Sequence, residues 1–324
     1  MITHNSSLMQ AILFNRYGSS EVLRVQSIPK PIPSPSQVLV RVYNSSVNPV
    51  DWKIRNGSLW IFSGWKFPRQ LGADFSGVVE AIGSQIKNFQ VGDAVFGFID
   101  PLLGGAYAEY LVVKEANLAL KPNNVTFEEI AVVPLAGSTA LQALSDLSKL
   151  QKDQSILING ASGGVGIYAL QIAKARMANI TAVCSTQNLE LVRNLGADVV
   201  VDYTKINVMQ IGNKYDVIFD VVGKLSFAES KLMLNDKGIY ISTLPSISLL
   251  KDIIFTYFGN NRKAKLVVVK SNHDNFVTLS KMIQDNKIIP IIDKSFNLTA
   301  LPEAHDRSEK GKVVGKLSLF IRKF

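Results

Sequence analysis

SILINGASGGVGIYALQIAKA, from Ser155 to Ala175, decides how this chain folds. It opens with a short apolar run, Ile156-Leu157-Ile158, long enough for a buried parallel strand. The run stops at Gly160-Ala161-Ser162-Gly163-Gly164-Val165-Gly166, after which Val165, Ala169, Ile172 and Ala173 share one face of a helical pattern. Strand, glycine turn and helix make the phosphate-binding start of a dinucleotide-binding unit. The glycines let the turn close and bring backbone N–H groups near a pyrophosphate, and the helix N-terminus turns its positive dipole end toward that anion. A glycine turn alone also fits an ordinary tight connection between strand and helix.

The residues that follow favour the dinucleotide. Ile180 to Ser185 reads as the second parallel strand. An acidic residue at the end of that strand would hold the ribose 2′-OH of NAD. Here the end reads Ser185-Thr186-Gln187-Asn188, with hydroxyl and amide groups and no carboxylate to repel a 2′-phosphate. That favours NADPH over NADH, although no Arg or Lys stands in the run to pair with the phosphate.

At 324 residues the chain suits two domains. Hydrophobic content of 47% and charged content of 19% describe a globular protein. The single cysteine, Cys184, excludes an internal disulfide and a zinc site built on several thiolates; its strand position reads as a small buried residue. Met1 to Gln10 lacks the apolar core of a secretory signal, so a cytoplasmic location is expected. Ile247 to Phe258 is too short to span a bilayer and reads as the lining of a pocket or a subunit interface. The net charge of +9 is scattered. Only Asn261-Arg262-Lys263-Ala264-Lys265 and Arg322-Lys323 form small basic groups, so a solvated surface is expected and a nucleic-acid partner is not.

From about Met9 to Pro122 short strands punctuated by glycine indicate a barrel-like β domain: Gln10 to Arg16, Val38 to Tyr43, Gly77 to Gly83, Val91 to Gly97 and Ala106 to Val113. The prolines at 29, 31, 33 and 35 form an extended connector. Phe127 to Val133 and Gly137 to Leu147 read as helices. The alternation then runs through Val199 to Tyr203, Asp216 to Val222, Gly238 to Leu244 and Lys265 to Val269, which implies a parallel, doubly wound sheet. The tail adds a helix, Phe276 to Asp285, and strands at Ile288 to Ile292 and Lys312 to Ile321.

The chain resembles the medium-chain dehydrogenase/reductase superfamily, in its zinc-independent quinone oxidoreductase and alkenal/enone reductase branch. Ser46-Val47-Asn48-Pro49-Val50-Asp51-Trp52-Lys53, Leu71-Gly72-Ala73-Asp74-Phe75-Ser76-Gly77, Val91 to Gly97, the glycine turn, Cys184 to Asn188, Leu195-Gly196-Ala197-Asp198, Asp202-Tyr203-Thr204 and Lys310-Gly311-Lys312 carry the likeness. It implies a Rossmann domain (126–271) inserted into a GroES-like domain (1–125, completed by 272–324), with the active site in the cleft and a dimer made through the Rossmann domain. It also implies cofactor roles. Ser162, Gly163, Gly164 and Val165 would hold the pyrophosphate. Ser185, Thr186, Gln187, Asn188 and Tyr203 would contact the adenosine 2′-phosphate. Lys53 would contact the cofactor, and Thr139, Gly223, Leu244, Gly311 and Lys312 would lie near the nicotinamide. Relatives often carry Arg where Gln187 stands, which leaves NAD use open.

Zinc alcohol dehydrogenases need Cys, His and often Glu ligands. The matching stretches here, Asn48-Pro49-Val50-Asp51 and Gly72-Ala73-Asp74, hold neither Cys nor His. The three histidines, His4, His273 and His305, read as surface or structural. No metal is therefore expected. Hydride delivery to an electrophilic carbon, in a quinone or an α,β-unsaturated carbonyl, needs none. Asn48, Asp51 and Lys53 are the candidate pocket residues, Lys53 assisting the nicotinamide ribose or the developing enolate. Alternatively Asn48-Pro49 shapes a turn, and Asp51 pairs locally with Lys53 or Arg55. Trp52, Trp60, Phe62, Trp65 and Phe67 form either an aromatic wall or core packing, and Tyr107 and Tyr110 read as strand residues. Two other functions remain open: an NADPH-binding protein of low turnover, like the lens crystallin relatives, that touches RNA through its basic charge, and a biosynthetic enoyl reductase.

Overall fold

The computed structural model describes residues 7–259 and 261–322. His4 and Lys323 lie outside the described residues. β1 (Leu8–Phe14), β2 (Arg24–Pro29) and β3 (Gln37–Val47) come first, then the short helices α1 (Pro49–Arg55) and α2 (Trp60–Ser63). β4 (Arg69–Gln70), β5 (Asp74–Ile82), β6 (Ala94–Phe98), β7 (Tyr110–Lys114) and β8 (Leu118–Leu120) follow. α3 (Phe127–Ala131) and α4 (Pro134–Gln142) lead to the alternating part: β9 (Ser155–Asn159), α5 (Gly164–Ala175), β10 (Asn179–Cys184), α6 (Leu189–Asn194), β11 (Val199–Asp202), β12 (Tyr215–Asp220), α7 (Phe227–Lys231), β13 (Leu234–Ser242), α8 (Ile247–Tyr257) and β14 (Lys263–Leu266). α9 (His273–Gln284), β15 (Ile292–Asn297), α10 (Leu301–Glu309) and β16 (Lys316–Phe320) come last.

Two compact units result. One combines the residues up to Leu135 with those from Lys270 onward; the other is Ala136–Val269. In the first, a sheet runs β15-β16-β3-β5-β6-β8, with β7 also on β3, and β2-β1-β4 forms a smaller sheet. β3 is long and buried along most of its length, as suits a central strand, and Val38, Val40 and Val42 lie in one core with Phe75, Val79 and Val95. β16 pairs antiparallel with β3, Leu317 opposite Val47. This register brings Lys316 to the end of β3, beside Asn48. α3 packs on β3 and β5, and so stays with this unit.

The second unit is a six-stranded, all-parallel sheet in the order β11-β10-β9-β12-β13-β14. This is the doubly wound arrangement, with β9 and β12 flanking the point where the strand order reverses. Ile156, Leu157 and Ile158 are fully buried on β9, as helices on both faces of a parallel sheet require.

Some local expectations are corrected. Pro290 lacks an amide hydrogen, so the tail strand β15 starts at Ile292 and not at Ile288. The helical stretch ends at Gln142 and continues as a turn of π-helix, Ala143–Leu147. His273 opens α9, where its ring Nδ1 meets the Leu118 carbonyl at 2.8 Å. Tyr107 lies in a bend before β7, not in a strand.

Candidate functional site

In the second unit the site is the turn after β9. Gly160 has φ +87°, and a Cβ there would lie 2.5 Å from Val222 Cγ1. A Cβ on Gly166 would lie 2.2 Å from the Gly160 carbonyl oxygen, so only glycine lets the first turn of α5 pass this close to the strand end. Gly163, the N-cap of the 12-residue α5, offers no side chain to the helix N-terminus. The first turn therefore presents bare backbone donors at the positive dipole end, at the reversal point of the sheet. This fits a dinucleotide pyrophosphate.

The predicted adenosine-side residues gather at the neighbouring strand ends. Asn188 Nδ2 donates to Ser162 Oγ at 2.9 Å and to Ser185 Oγ at 3.2 Å, so the end of β10 is tied to the glycine turn. Thr186 Oγ donates to Asp202 Oδ2 at 2.5 Å. Gln187 is exposed, and so is Tyr203 at 63%. Gly223 and Leu244 meet: a Cβ on Gly223 would fall 2.7 Å from Leu244 Cδ1. Thr139 is buried on α4. Cys184 is buried, and burial pushes its thiol up to about 11.

Lys53, Gly311 and Lys312 belong to the first unit, Lys53 on α1 and the other two just after α10. Among the described residues no hydrogen bond or ion pair holds the half-buried Lys53 ammonium. The ammonium lies 5.5 Å from the centre of the Trp52 ring, and burial lowers its pKa.

The first unit's other candidates, Asn48 and Asp51, sit in a buried polar cluster. Asp74 Oδ2 accepts from Ser46 Oγ at 2.5 Å and Asn48 Nδ2 at 2.8 Å, and its Oδ1 accepts from Leu135 N at 2.7 Å. Lys316 Nζ lies 3.6 Å from Asp74 Oδ2 and donates to Asn48 Oδ1 and to the Val47 carbonyl. Asp51 does not pair with Lys53 or Arg55. Its Oδ2 accepts from Asn48 N and from Tyr107 OH, both at 2.8 Å, while Oδ1 is buried without a partner. Burial raises Asp51 to about 6 and lifts Tyr107 well above the usual phenol range. Arg55 instead meets Glu309 and the buried His305, whose ring burial holds down to about 3.

Tyr107, Asp74, Ser46, Lys316 and Asp202 escaped the sequence reading. A lysine at the head of the buried strand Lys316–Phe320 is the one usable signal. Of the aromatic residues, Trp60 meets Trp65, and Trp65 and Phe67 both meet Tyr17, so these form one cluster at the surface of the first unit. Trp60, Phe62 and Trp65 are exposed, Phe67 packs on Phe14 and Tyr17, and Trp52 Nε1 donates to Ser308 Oγ. The basic group near residue 262 serves its own fold: Arg262 pairs with Asp236, and Lys263 and Lys265 donate to main-chain carbonyls. Among the described residues no His, Cys, Asp or Glu group could hold a metal, and no helix is long and apolar enough to cross a membrane.

Two family profiles match, "Alcohol dehydrogenase GroES-like domain" over residues 34–123 and "Zinc-binding dehydrogenase" over 195–319. A chloroplast envelope quinone oxidoreductase homolog of Arabidopsis thaliana is 32% identical, covering 96% of this chain and 98% of its own. An NADPH-dependent alkenal/one oxidoreductase, chloroplastic, of the same plant is 32% identical over 96% of this chain and 79% of its own. The structure of the quinone oxidoreductase from Coxiella burnetii superposes with a TM-score of 0.90, at 31% identity over 98% of this chain and 100% of that one. The expected cytoplasmic location is corrected: the plant relatives carry chloroplast names. With likeness over nearly the whole length and the glycine turn in place, the chain belongs to the medium-chain dehydrogenase/reductase superfamily, among its quinone and alkenal/one oxidoreductases, enzymes that use a nicotinamide cofactor.

Proposed function

We propose that this chain is an NADPH-preferring, zinc-independent reductase of quinones or of α,β-unsaturated carbonyls. The names of its relatives support that substrate class. The observation that carries the metal-free chemistry is the Lys316–Asn48–Asp74 cluster. Residues at the positions that would offer zinc ligands are an amide and a carboxylate already joined to a resident ammonium. A divalent cation would have to displace Lys316 and would find no thiolate or imidazole there.

The nicotinamide, when bound, supplies a hydride to the electrophilic carbon. The α5 N-terminus anchors the pyrophosphate. Ser162, Ser185 and Asn188 hold the adenosine side in register with it. Lys53, held by no ion pair among the described residues, places a positive charge for the ribose or for the oxygen of the developing enolate. Asn48 and Asp51 act through the fold, because both side chains are already engaged inside the first unit.

The dimer is proposed through β14, an edge strand of the parallel sheet, together with α8. One face of α8 packs on β14 while Ile247, Leu250, Ile254, Phe255 and Phe258 point outward. A second copy would cover that apolar face.

The reading is tested by NADPH and NADH oxidation, using chelator-treated protein with one simple quinone and one simple enone. Turnover without metal is expected with at least one acceptor. Turnover only after zinc is added would overturn the metal-free reading.

A further inference from the structure

β10 and β11 run parallel with Cys184 opposite Asp202. The segments Ser185-Thr186 and Tyr203-Thr204 therefore leave the sheet side by side at its C-terminal edge, where a doubly wound sheet meets the adenosine ribose. Asp202 stands between them. Its Oδ2 accepts from Thr186 Oγ at 2.5 Å, and its Oδ1 accepts from Thr204 Oγ at 2.7 Å and Thr204 N at 3.0 Å. The two threonine oxygens lie 3.0 Å apart, and Lys205 Nζ lies 3.9 Å from the carboxylate.

Each hydroxyl has one proton. With both protons directed at Asp202, the outward sides of Thr186 and Thr204 offer lone pairs. Lone pairs suit a ribose 2′-OH, which can donate. They do not suit a 2′-phosphate, which only accepts. The Thr186 and Thr204 hydrogen bonds also hold the Asp202 carboxyl below the usual carboxylate range, so it is charged at neutral pH.

We infer that Asp202 limits selection for the 2′-phosphate: by taking both threonine protons and adding a negative charge, it keeps NADH usable beside NADPH. This rests on the cofactor reading above and deepens it. Ser185, Gln187 and Tyr203 favour the phosphate, with Asn188 holding Ser185 in place, and Asp202 opposes them. A sequence search for an acidic residue at the end of β10 misses it, because the carboxylate comes from the neighbouring strand.

The test is binding, read by calorimetry with adenosine 2′,5′-bisphosphate and with AMP as probes. In Asp202→Asn the charge is gone and one threonine proton is released. Preference for the bisphosphate over AMP should rise on the order of tenfold, as removal of one nearby charge implies. Thr186→Val leaves the carboxylate but removes one of its donors. That variant also removes lone pairs offered to a 2′-OH while keeping the charge, so AMP should bind more weakly with little change for the bisphosphate, a pattern distinct from the gain of bisphosphate affinity in Asp202→Asn and one that loss of folding cannot imitate. An unchanged ratio in both variants, with both probes still bound, would overturn the inference. Wild-type protein that binds neither probe would overturn the cofactor reading, and this inference with it.

Discussion

The Lys316 ammonium donates to the Asn48 side-chain oxygen, and the Asn48 amide nitrogen donates to Asp74, so the last strand of the chain is locked to the end of β3 by a buried charge. Lys316 is 4% exposed and Asp74 is fully buried. Removing one member of such a pair leaves the other charged and unpaired in low dielectric.

Lys316→Met should therefore destabilise the protein by about 3–5 kcal/mol, read as a fall in the urea midpoint. Lys316→Met combined with Asp74→Asn should recover part of that loss, because the orphaned carboxylate is gone. A double variant as unstable as the sum of the two single variants would show that the residues do not act as a pair.

Asp51 and His305 give the stability opposite pH dependences. The folded Asp51 carboxyl binds its proton more tightly than the unfolded one, with a pKa raised from 3.8 to about 6 by burial. Its contribution is full below about 4 and lost as pH rises through about 6, by about 3 kcal/mol for a shift of this size. His305 is held neutral by burial and by the Arg55 charge, down to about 3 from 6.5. Its contribution is full above 6.5 and lost as pH falls toward 3. Denaturation of Asp51→Asn and His305→Gln across pH 4 to 8 should flatten one slope each. If neither slope changes, the two groups titrate alike in the folded and unfolded chains.

Lys53→Ala should change stability by no more than about 0.5 kcal/mol, since no ion pair or hydrogen bond is lost. It should nevertheless lower kcat/KM with NADPH and an enone about tenfold or more, as loss of a charge aimed at cofactor or enolate would. If kcat and KM were both unchanged, Lys53 would have no role in the reaction.

Much of this was legible in the sequence where local pattern and buried position coincide. Ile156-Leu157-Ile158 followed by glycines gives a strand and a phosphate turn with no long-range information. The parallel sheet follows from the alternation of strands and helices, whereas the reversal of strand order between β9 and β12 comes from a crossover that no local pattern marks. The buried cluster was illegible, because Lys316 and Asn48 are far apart in the chain and meet only through the β16–β3 register. From the sequence Asp51 reads either as a pocket residue or as a local partner of Lys53 or Arg55. Its partner is Tyr107, which a bend before β7 delivers to the same interior. α8 reads from the sequence as the lining of a pocket or of a subunit interface; Leu249 is buried beneath it, and most of its other apolar side chains face outward.

Those outward side chains make the oligomeric state sensitive to single charges. Phe255 is 81% exposed, so Phe255→Asp removes no internal packing. In the proposed dimer two such aspartates would be desolvated beside an apolar face. Sedimentation should show the wild type as a dimer and Phe255→Asp shifted toward monomer, with thermal stability of the separated chain little changed. A monomeric wild type would refute the pairing through α8 and β14.

Gly163 and Gly166 separate the two demands made on the glycine turn. A Cβ on Gly166 meets the Gly160 carbonyl oxygen at 2.2 Å, whereas one on Gly163 meets the same oxygen at 3.5 Å, an ordinary contact. Gly166→Ala should force α5 away from β9, lowering stability by about 1–3 kcal/mol and abolishing the stabilisation that NADPH gives in a thermal shift. Gly163→Ala should fold normally, and any loss of NADPH binding in it reports a methyl group placed at the mouth of the anion site. Because ligand stabilisation follows RT ln(1 + [L]/Kd), the two variants are compared over a range of NADPH concentrations. Equal stability in both would mean that the strand-to-helix distance yields easily, and that close packing at Gly166 does not hold the turn.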